Sequence, residues 1–145
     1  MGHPPIDQQI TFIYTHDLTI SAQFYENVIG LALWIDQGSC RIYQVTDSAF
    51  IGVCQVRKSV KNSPNQDRKT NIILTIVTQQ VNEWYQHLQA QGVHFEKEPE
   101  TNPKYNIYHC FLRDPDGYLI EIQRFLPWRG GNQQPYVNPK QCQEF

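Results

Sequence analysis

The most constraining feature of the sequence is an internal repeat. The stretches "ITFIYTHDLTISAQFYENVIGLALWI" and "NIILTIVTQQVNEWYQHLQAQGVHF" each begin with an apolar run, break at polar residues and continue with helical spacing. Both helical patterns stop at a glycine, Gly30 or Gly92, and both carry an aromatic pair at the matching place, Phe24-Tyr25 and Trp84-Tyr85. This self-similarity predicts two copies of one supersecondary unit.

Each helical pattern is followed by three strand-like segments. In the first half they cover 31–35, 40–45 and 49–56, and in the second half 93–97, 105–112 and 118–125. The turn formers "DQGS", "TDS", "PETNP" and "DPDG" separate them. Each half therefore reads β-α-β-β-β. The predicted organisation is a first module over 8–56, a polar linker over 57–69, a second module over 70–126 and an irregular tail over 127–145.

Composition and charge narrow the functional classes. A chain of 145 residues with a formal charge of −2 and no basic stripe gives no reason to expect a nucleic-acid partner. No apolar run reaches the roughly 20 residues of a membrane span, and the N-terminus lacks a signal-peptide core. The four cysteines, at 40, 54, 110 and 142, form no CxxC motif and are expected to be reduced. We therefore expect a cytoplasmic protein.

The repeated module, the helix end "FYENVIGL" and the closing motif "DPDGYLIEI" resemble the vicinal-oxygen-chelate superfamily, which includes glyoxalase I, extradiol dioxygenases and bleomycin-binding proteins. The resemblance spans roughly residues 8–125. It implies an α+β fold in which two tandem βαβββ modules form curved mixed sheets that enclose a cavity. It also implies homodimerisation, because related proteins often pair.

The resemblance further implies four metal-ligand positions, and these depart from the usual chemistry. They fall on Ile10, Gln55, Asn71 and Glu121, and the assignment of Gln55 rather than Cys54 depends on a one-residue choice of alignment. Ile10 cannot coordinate a metal, and neutral amides bind transition metals weakly. We therefore expect no tight metal site and no cofactor, with Glu121 as the position for a weakly held divalent ion.

Strand alternation points to a second polar arrangement around Glu121. Alternate residues of a strand share one face, and the resemblance places Phe111 on the cavity face, which brings His109 with it. His109 and Glu121 would then lie diagonally across a strand pair. A carboxylate beside an imidazole is a reasonable acid–base unit. The alternative, a core histidine satisfied by hydrogen bonds, stays open at this level.

Other polar residues are weaker candidates for a binding site. Tyr14 shares strand parity with Ile10 and would line the cavity, whereas Arg41 fits an anion contact or an ordinary surface position. No nucleophile motif and no phosphate-binding loop is present. The candidate catalytic residues are Glu121 and His109. The candidate ligand-binding residues are Tyr14, Gln55, Asn71, His109, Phe111 and Glu121.

Three functional hypotheses follow, and the sequence leaves open whether the chain is an enzyme. The first is a glyoxalase-like protein that binds a small organic molecule without a tight metal. The second is a lyase, isomerase or dioxygenase with a degenerate metal shell around Glu121. The third is a protein-interaction module. A ligand-dependent gain in stability would favour the first, and metal dependence would favour the second.

Overall fold

A computed structural model describes residues 2–56 and 72–127. The predicted linker, Asn71 and the predicted tail beyond residue 127 lie outside these ranges. The described residues divide into two compact units, of which the first contains 2–56 together with Asp114–Tyr118, and the second contains 72–113 and 119–127.

The first unit contains one four-stranded mixed sheet and one helical segment. Its elements are β1 (Gln9–Thr15), α1 (Leu18–Gln23) with a π-helical continuation (Phe24–Ile29), β2 (Ala32–Asp36), β3 (Cys40–Thr46) and β4 (Ala49–Gln55). The strand order is β1-β4-β3-β2, with β1 parallel to β4 and the other pairs antiparallel. This is the predicted βαβββ sequence of elements.

Local chemistry explains where the first helical segment begins and ends. The side chain of Asp17 accepts the backbone N–H of Ile20, which satisfies one of the free donors at a helix N-terminus. Gly30 ends the segment in the left-handed conformation (φ 88°), which glycine adopts without steric cost. The π-helical turn closes with the N–H of Gly30 donating to the carbonyl of Tyr25.

The two faces of the first sheet differ in their surroundings. Toward the helical segment the sheet buries Ile13, Tyr43 and Val53 against Ala22 and Tyr25, all at most 2% exposed. On the opposite face, the ring of Phe12 lies over Gly52, in the space that a side chain at position 52 would need. A glycine here therefore allows an aromatic ring to approach the backbone.

The pairing of β3 with β4 corrects the expectation that all cysteines are reduced. Cys40 and Cys54 lie directly opposite each other, with Cα atoms 4.0 Å apart, and form a disulfide. The prediction was wrong for this pair because a separation of 14 residues along the chain does not reveal strand register. Cys110 is a free thiol, and its burial, followed by the charge of Glu121, raises its pKa to about 11.

The second unit has the same topology. Its elements are β5 (Ile73–Val77), α2 (Val81–Ala90), β6 (Phe95–Asn102), β7 (Ile107–Arg113) and β8 (Leu119–Phe125), in the strand order β5-β8-β7-β6. The core between α2 and the sheet includes Val81, Leu88, Leu112 and Ile122, all at most 1% exposed. The α+β class with two curved mixed sheets is therefore confirmed.

One predicted turn is partly strand. The segment "PETNP" was expected to separate two strands, but β6 continues through Pro99 to Asn102. Two register irregularities between β6 and β7 accommodate this stretch, and β6 is the last strand of its sheet. Proline is tolerated at such bulged edge positions because it does not interrupt a central hydrogen-bond ladder.

Within the described ranges, no helix is long and apolar enough to cross a membrane.

Candidate functional site

A polar cluster lies on the face of the second sheet opposite α2. Thr75 of β5 pairs directly with Glu121 of β8, and Glu121 pairs directly with Phe111 of β7. His109 lies two residues from Phe111 on the same strand, so its side chain reaches Glu121 diagonally. Three adjacent strands therefore each contribute to the cluster, and the buried side chain of Gln123 on β8 lies on the same face, directly opposite His109.

Both carboxylate oxygens of Glu121 have a partner. The hydroxyl of Thr75 donates to Oε1 at 3.0 Å, and Nδ1 of His109 lies 2.8 Å from Oε2. The side chains of His109 and Glu121 are only 4% and 12% exposed. The pair is thus a short contact that is largely withdrawn from water, where polar interactions are stronger than at the surface.

The second ring nitrogen of His109 has no partner in the part of the chain that the structure describes. Its Nε2 atom is buried, and no hydrogen-bonding group among the described residues contacts it. An unsatisfied buried polar atom costs roughly 1–3 kcal/mol. Most buried polar groups in folded proteins are paired, so an unpaired one needs an explanation.

The surroundings of the cluster are mainly apolar. The ring of Phe111 meets the imidazole of His109 edge to face, with centroids 4.9 Å apart. Ile73 and Val77 lie on either side of Thr75 with the same strand parity, and they are 48% and 39% exposed. The face thus combines the buried polar pair and the buried Gln123 with apolar side chains that remain accessible.

Charges on the neighbouring strand are already paired. Glu100 and Lys97 of β6 lie opposite His109 and Phe111, respectively. Lys97 forms an ion pair with Glu100, with Nζ and Oε1 2.6 Å apart. The nearest lysine on the paired strand therefore already has a carboxylate partner.

The remaining sequence candidates lie elsewhere. The amide of Gln55 accepts the N–H of Leu18 and donates to the carbonyl of His16, so this side chain caps the start of α1. Cys54, rather than Gln55, pairs with Tyr14 on the face of the first sheet opposite α1, since neighbouring strand residues point to opposite faces. Tyr14 is 58% exposed. Asn71 lies outside the described residues, and no role is assigned to it here.

The DPDG motif forms a buried hydrogen-bond network in the first unit. Oδ1 of Asp114 accepts the N–H groups of Asp116 and Tyr118, and Oδ2 accepts the hydroxyl of Tyr25 at 2.9 Å. Asp116 accepts the hydroxyl of Ser21 at 2.8 Å. Sequence reasoning used this motif as a turn and as part of the family resemblance, but it missed the buried partners of Asp114 and Asp116. It also missed Thr75, whose only signal was one polar residue in the apolar run "ILTIV".

The described donors do not match a resident metal ion. Within residues 2–56 and 72–127, no group of three or more His, Cys, Asp or Glu side chains is arranged to hold one. Glu121 already accepts two hydrogen bonds, Gln55 is engaged at the start of α1, and Ile10 offers no donor atom. Stable transition-metal sites generally use three or four such ligands, so we derive no chemistry from a metal here.

The fold and the sequence together define the class of protein. Residues 8–122 match the family model of the Glyoxalase/Bleomycin resistance protein/Dioxygenase superfamily. The chain belongs to this superfamily.

The relatives compared with the chain are distant in sequence. The chain is 23% identical to the uncharacterized protein YraH of Bacillus subtilis (strain 168), over 79% of this chain and 94% of that protein. Among solved structures it is similar to a lactoylglutathione lyase from Agrobacterium tumefaciens, with 19% identity, a TM-score of 0.64 and coverage of 83% and 95% of the two chains. It is also similar to a glyoxalase/bleomycin resistance protein/dioxygenase from Nocardioides, with 16% identity and a TM-score of 0.68. The match covers 94% of this chain and 93% of that chain. At these identities the structures show the shared fold alone.

Proposed function

We propose that the chain binds a small organic molecule on the face of the second sheet opposite α2, with His109 and Glu121 as its polar anchors and without a tightly bound metal. One observation carries the proposal: Nε2 of His109 is buried beside Glu121 and has no partner among the described residues. A ligand that supplies this partner would remove the cost of an unsatisfied polar atom.

The alternative of a purely structural histidine explains less. A core histidine that only stabilises the fold is expected to have both ring nitrogens satisfied. Here Nδ1 is satisfied, and Nε2 has no partner within residues 2–56 and 72–127. The exposed apolar neighbours Ile73 and Val77 give a ligand surface to cover, and binding sites commonly combine apolar walls with a few placed polar groups.

Ligand-dependent stabilisation tests this proposal. We expect at least one member of a library of aromatic and antibiotic-like compounds to raise the melting temperature of the wild-type protein, because a ligand at a hundred times its Kd adds about 2.7 kcal/mol to the free energy of unfolding. His109→Gln should lose the shift. The matched control is His94→Gln, since His94 is an exposed histidine of the same unit. Equal shifts in both variants would place the ligand elsewhere.

A metal-dependent enzyme is the second candidate function, and Glu121 is the observation that favours it. This carboxylate lies on the closing strand of the second module, where the family resemblance implies a metal ligand. The two hypotheses differ in what metal removal does.

We expect chelation to leave both the melting temperature and ligand binding unchanged. The physical reason is that the described donors offer only the His109–Glu121 pair. The measurement is metal content by elemental analysis, followed by melting with Zn²⁺, Ni²⁺, Mn²⁺ or Fe²⁺ for wild type, Glu121→Gln and the exposed-site control Glu83→Gln. Near-stoichiometric metal, or a shift that only Glu121→Gln loses, would support the metalloenzyme instead.

Two finer expectations stay predictions. A homodimer is expected from the habits of related proteins, and C₂ pairing is the commonest oligomeric state. A cytoplasmic location was expected from reduced cysteines, and the Cys40–Cys54 disulfide removes part of that support.

A further inference from the structure

We infer that the side-chain amide of Gln123 determines ligand specificity on this face of the second sheet, and that the ligand it recognises carries a primary carboxamide on an apolar body. This inference rests on the proposed function and names the class of ligand. It follows from an unpaired buried amide, from its neighbours on the sheet and from the hydrogen-bonding groups that an amide can match.

Gln123 is a buried polar residue whose side chain has no partner in the described ranges. The residue is 8% exposed. Its backbone carbonyl accepts the N–H of Thr78, but no residue that the structure describes makes a hydrogen bond with its side-chain amide. Buried polar groups in folded proteins are nearly always paired, because an unpaired one destabilises the fold. The position is therefore suited to a polar group that a ligand supplies.

Strand pairing places Gln123 beside the unpaired nitrogen of His109. Gln123 pairs directly with His109 of β7 on one side and with Val77 of β5 on the other. Side chains at directly opposite positions share one face of the sheet and lie close together. Since Nε2 of His109 is also buried without a described partner, two adjacent side chains each offer a hydrogen-bonding group that no described residue uses.

The two terminal atoms of the Gln123 side chain define the chemistry of their partner. The oxygen accepts hydrogen bonds and the nitrogen donates them, side by side in one plane. A carboxamide presents the reverse pair, an N–H next to a C=O, and makes both hydrogen bonds at once. Glutamine recognises the paired donor and acceptor of an adenine edge on the same principle. Rotation of the Gln123 amide by 180° exchanges its two atoms, and a matching rotation of the ligand restores both bonds.

Ionic groups match this amide less well. A carboxylate only accepts hydrogen bonds, so it leaves the oxygen of Gln123 facing another acceptor. An ammonium group only donates, so it leaves the N–H groups of Gln123 unused. A carboxylate ligand would also find Lys97 already paired with Glu100 on the adjacent strand β6. The ligand group is therefore neutral and contains both a donor and an acceptor.

A primary carboxamide also satisfies Nε2 of His109 in either tautomer of the imidazole. Beyond the pair that meets Gln123, the group has a second N–H and a second carbonyl lone pair. The lone pair accepts from Nε2 when this nitrogen carries the proton, and the second N–H donates to Nε2 when it does not. Recognition is therefore the same in kind whichever ring nitrogen of His109 is protonated.

Apolar neighbours favour a ring or hydrocarbon body attached to the carboxamide. Val77 and Phe125 share the face of Gln123 and are 39% and 47% exposed. The ring of Phe111 lies against the imidazole of His109 on the same face. Removal of such apolar surface from water favours binding, and its low polarity strengthens the hydrogen bonds beside it.

Three compounds of related shape test the inference: benzamide, benzoate and N,N-dimethylbenzamide. Benzoate lacks the N–H donor, and N,N-dimethylbenzamide keeps the carbonyl but has no N–H. Saturation-transfer NMR titrations with the wild-type chain give the three dissociation constants. We expect saturable binding of benzamide, with each of the other two bound at least about tenfold more weakly because a hydrogen bond to Gln123 is lost.

A variant at position 123 separates hydrogen bonding from shape and charge of the probes. Gln123→Leu removes both hydrogen-bonding atoms and keeps a side chain of similar size. It should bind benzamide at least about tenfold more weakly than wild type and should lose the preference for benzamide over N,N-dimethylbenzamide. The matched control is Gln86→Leu, an exposed glutamine of α2 in the same unit, which should retain the wild-type values. Circular dichroism and melting show that each variant is folded.

Three results would overturn the inference. They are benzoate or N,N-dimethylbenzamide bound as tightly as benzamide, a preference for benzamide that Gln123→Leu keeps, and no saturable binding of benzamide. The library screen with His109→Gln is independent of these probes. A library compound whose stabilisation His109→Gln loses, together with any of the three results, would support the binding site and reject the carboxamide as its ligand group.

Discussion

Replacement of Asp114 by alanine is expected to lower the free energy of unfolding by about 3 kcal/mol. The carboxylate accepts two backbone N–H groups and the hydroxyl of Tyr25, and Asp114 is buried. Alanine would leave three donors without their acceptor, and a buried donor that loses its partner costs roughly 1–3 kcal/mol. Urea denaturation monitored by circular dichroism measures the loss.

A conservative variant and an exposed-site control show whether the loss of stability comes from the hydrogen bonds of Asp114. In Asp114→Asn the side-chain oxygen can still accept both backbone N–H groups, and the amide can donate to the oxygen of Tyr25, so we expect a loss of about 1 kcal/mol. Asp47→Ala removes an exposed carboxylate and should change stability by less than about 0.5 kcal/mol. If Asp114→Ala were as mild as Asp47→Ala, the network would contribute nothing to stability.

The pH dependence of Asp114 has a definite sign. Desolvation raises the pKa of this carboxyl, and its hydrogen bonds with Tyr118 and Tyr25 oppose that shift without cancelling it. A raised pKa in the folded state means that the fold binds this proton more tightly than the unfolded chain does. The resulting stability is complete below the ordinary aspartate value of about 3.9 and is lost as the pH rises through the folded pKa.

The comparison with asparagine isolates this contribution. Asparagine does not titrate, so the stability of wild type relative to Asp114→Asn should increase as the pH is lowered from neutral toward the ordinary aspartate range. Paired urea curves across that range measure the difference. A difference that decreases on acidification would show that the hydrogen bonds to the ionised carboxylate outweigh its desolvation.

Reduction of the Cys40–Cys54 disulfide is expected to lower the free energy of unfolding by about 3 kcal/mol. The bond restricts the entropy of the unfolded chain, and for a closed loop of roughly 15 residues this restriction is worth about that amount. The bond joins β3 to β4 at directly opposite positions. Thermal melting with and without a thiol reductant measures the effect, and peptide mapping of the alkylated, unreduced protein identifies the linked pair.

The double variant Cys40→Ser/Cys54→Ser provides the control. It should melt like the reduced wild type and should not respond to reductant. Cys110 should not interfere, because its thiol is fully buried and burial raises its pKa to about 11, which leaves little thiolate at neutral pH. Alkylation of both Cys40 and Cys54 in unreduced, denatured protein would contradict the disulfide.

Much of the fold followed from local patterns. The repeat, the glycine stops and the alternation of apolar residues predicted two βαβββ modules, because helix and strand periods are properties of short segments. The same alternation, together with the family resemblance that placed Phe111 on the cavity face, brought His109 and Glu121 to one face. Their 2.8 Å contact is what the structure adds.

Other features depended on contacts that a local pattern does not encode. Tyr25 and Asp114 are 89 residues apart, and nothing near either residue marks the other as its partner. Thr75 joins Glu121 only because β5 pairs with β8 in parallel, a register that no short turn imposes.

The features that the sequence determined differ from those that only the tertiary structure decided for one physical reason. The sequence by itself determined which residues share a helix face or a strand face, since backbone geometry repeats every few residues. Only the tertiary structure decided that Cys54 meets Cys40, that Gln55 caps α1 and that Nε2 of His109 is left without a partner among the described residues. These outcomes depend on which distant strands come together, and strand pairing is a property of the whole packed sheet.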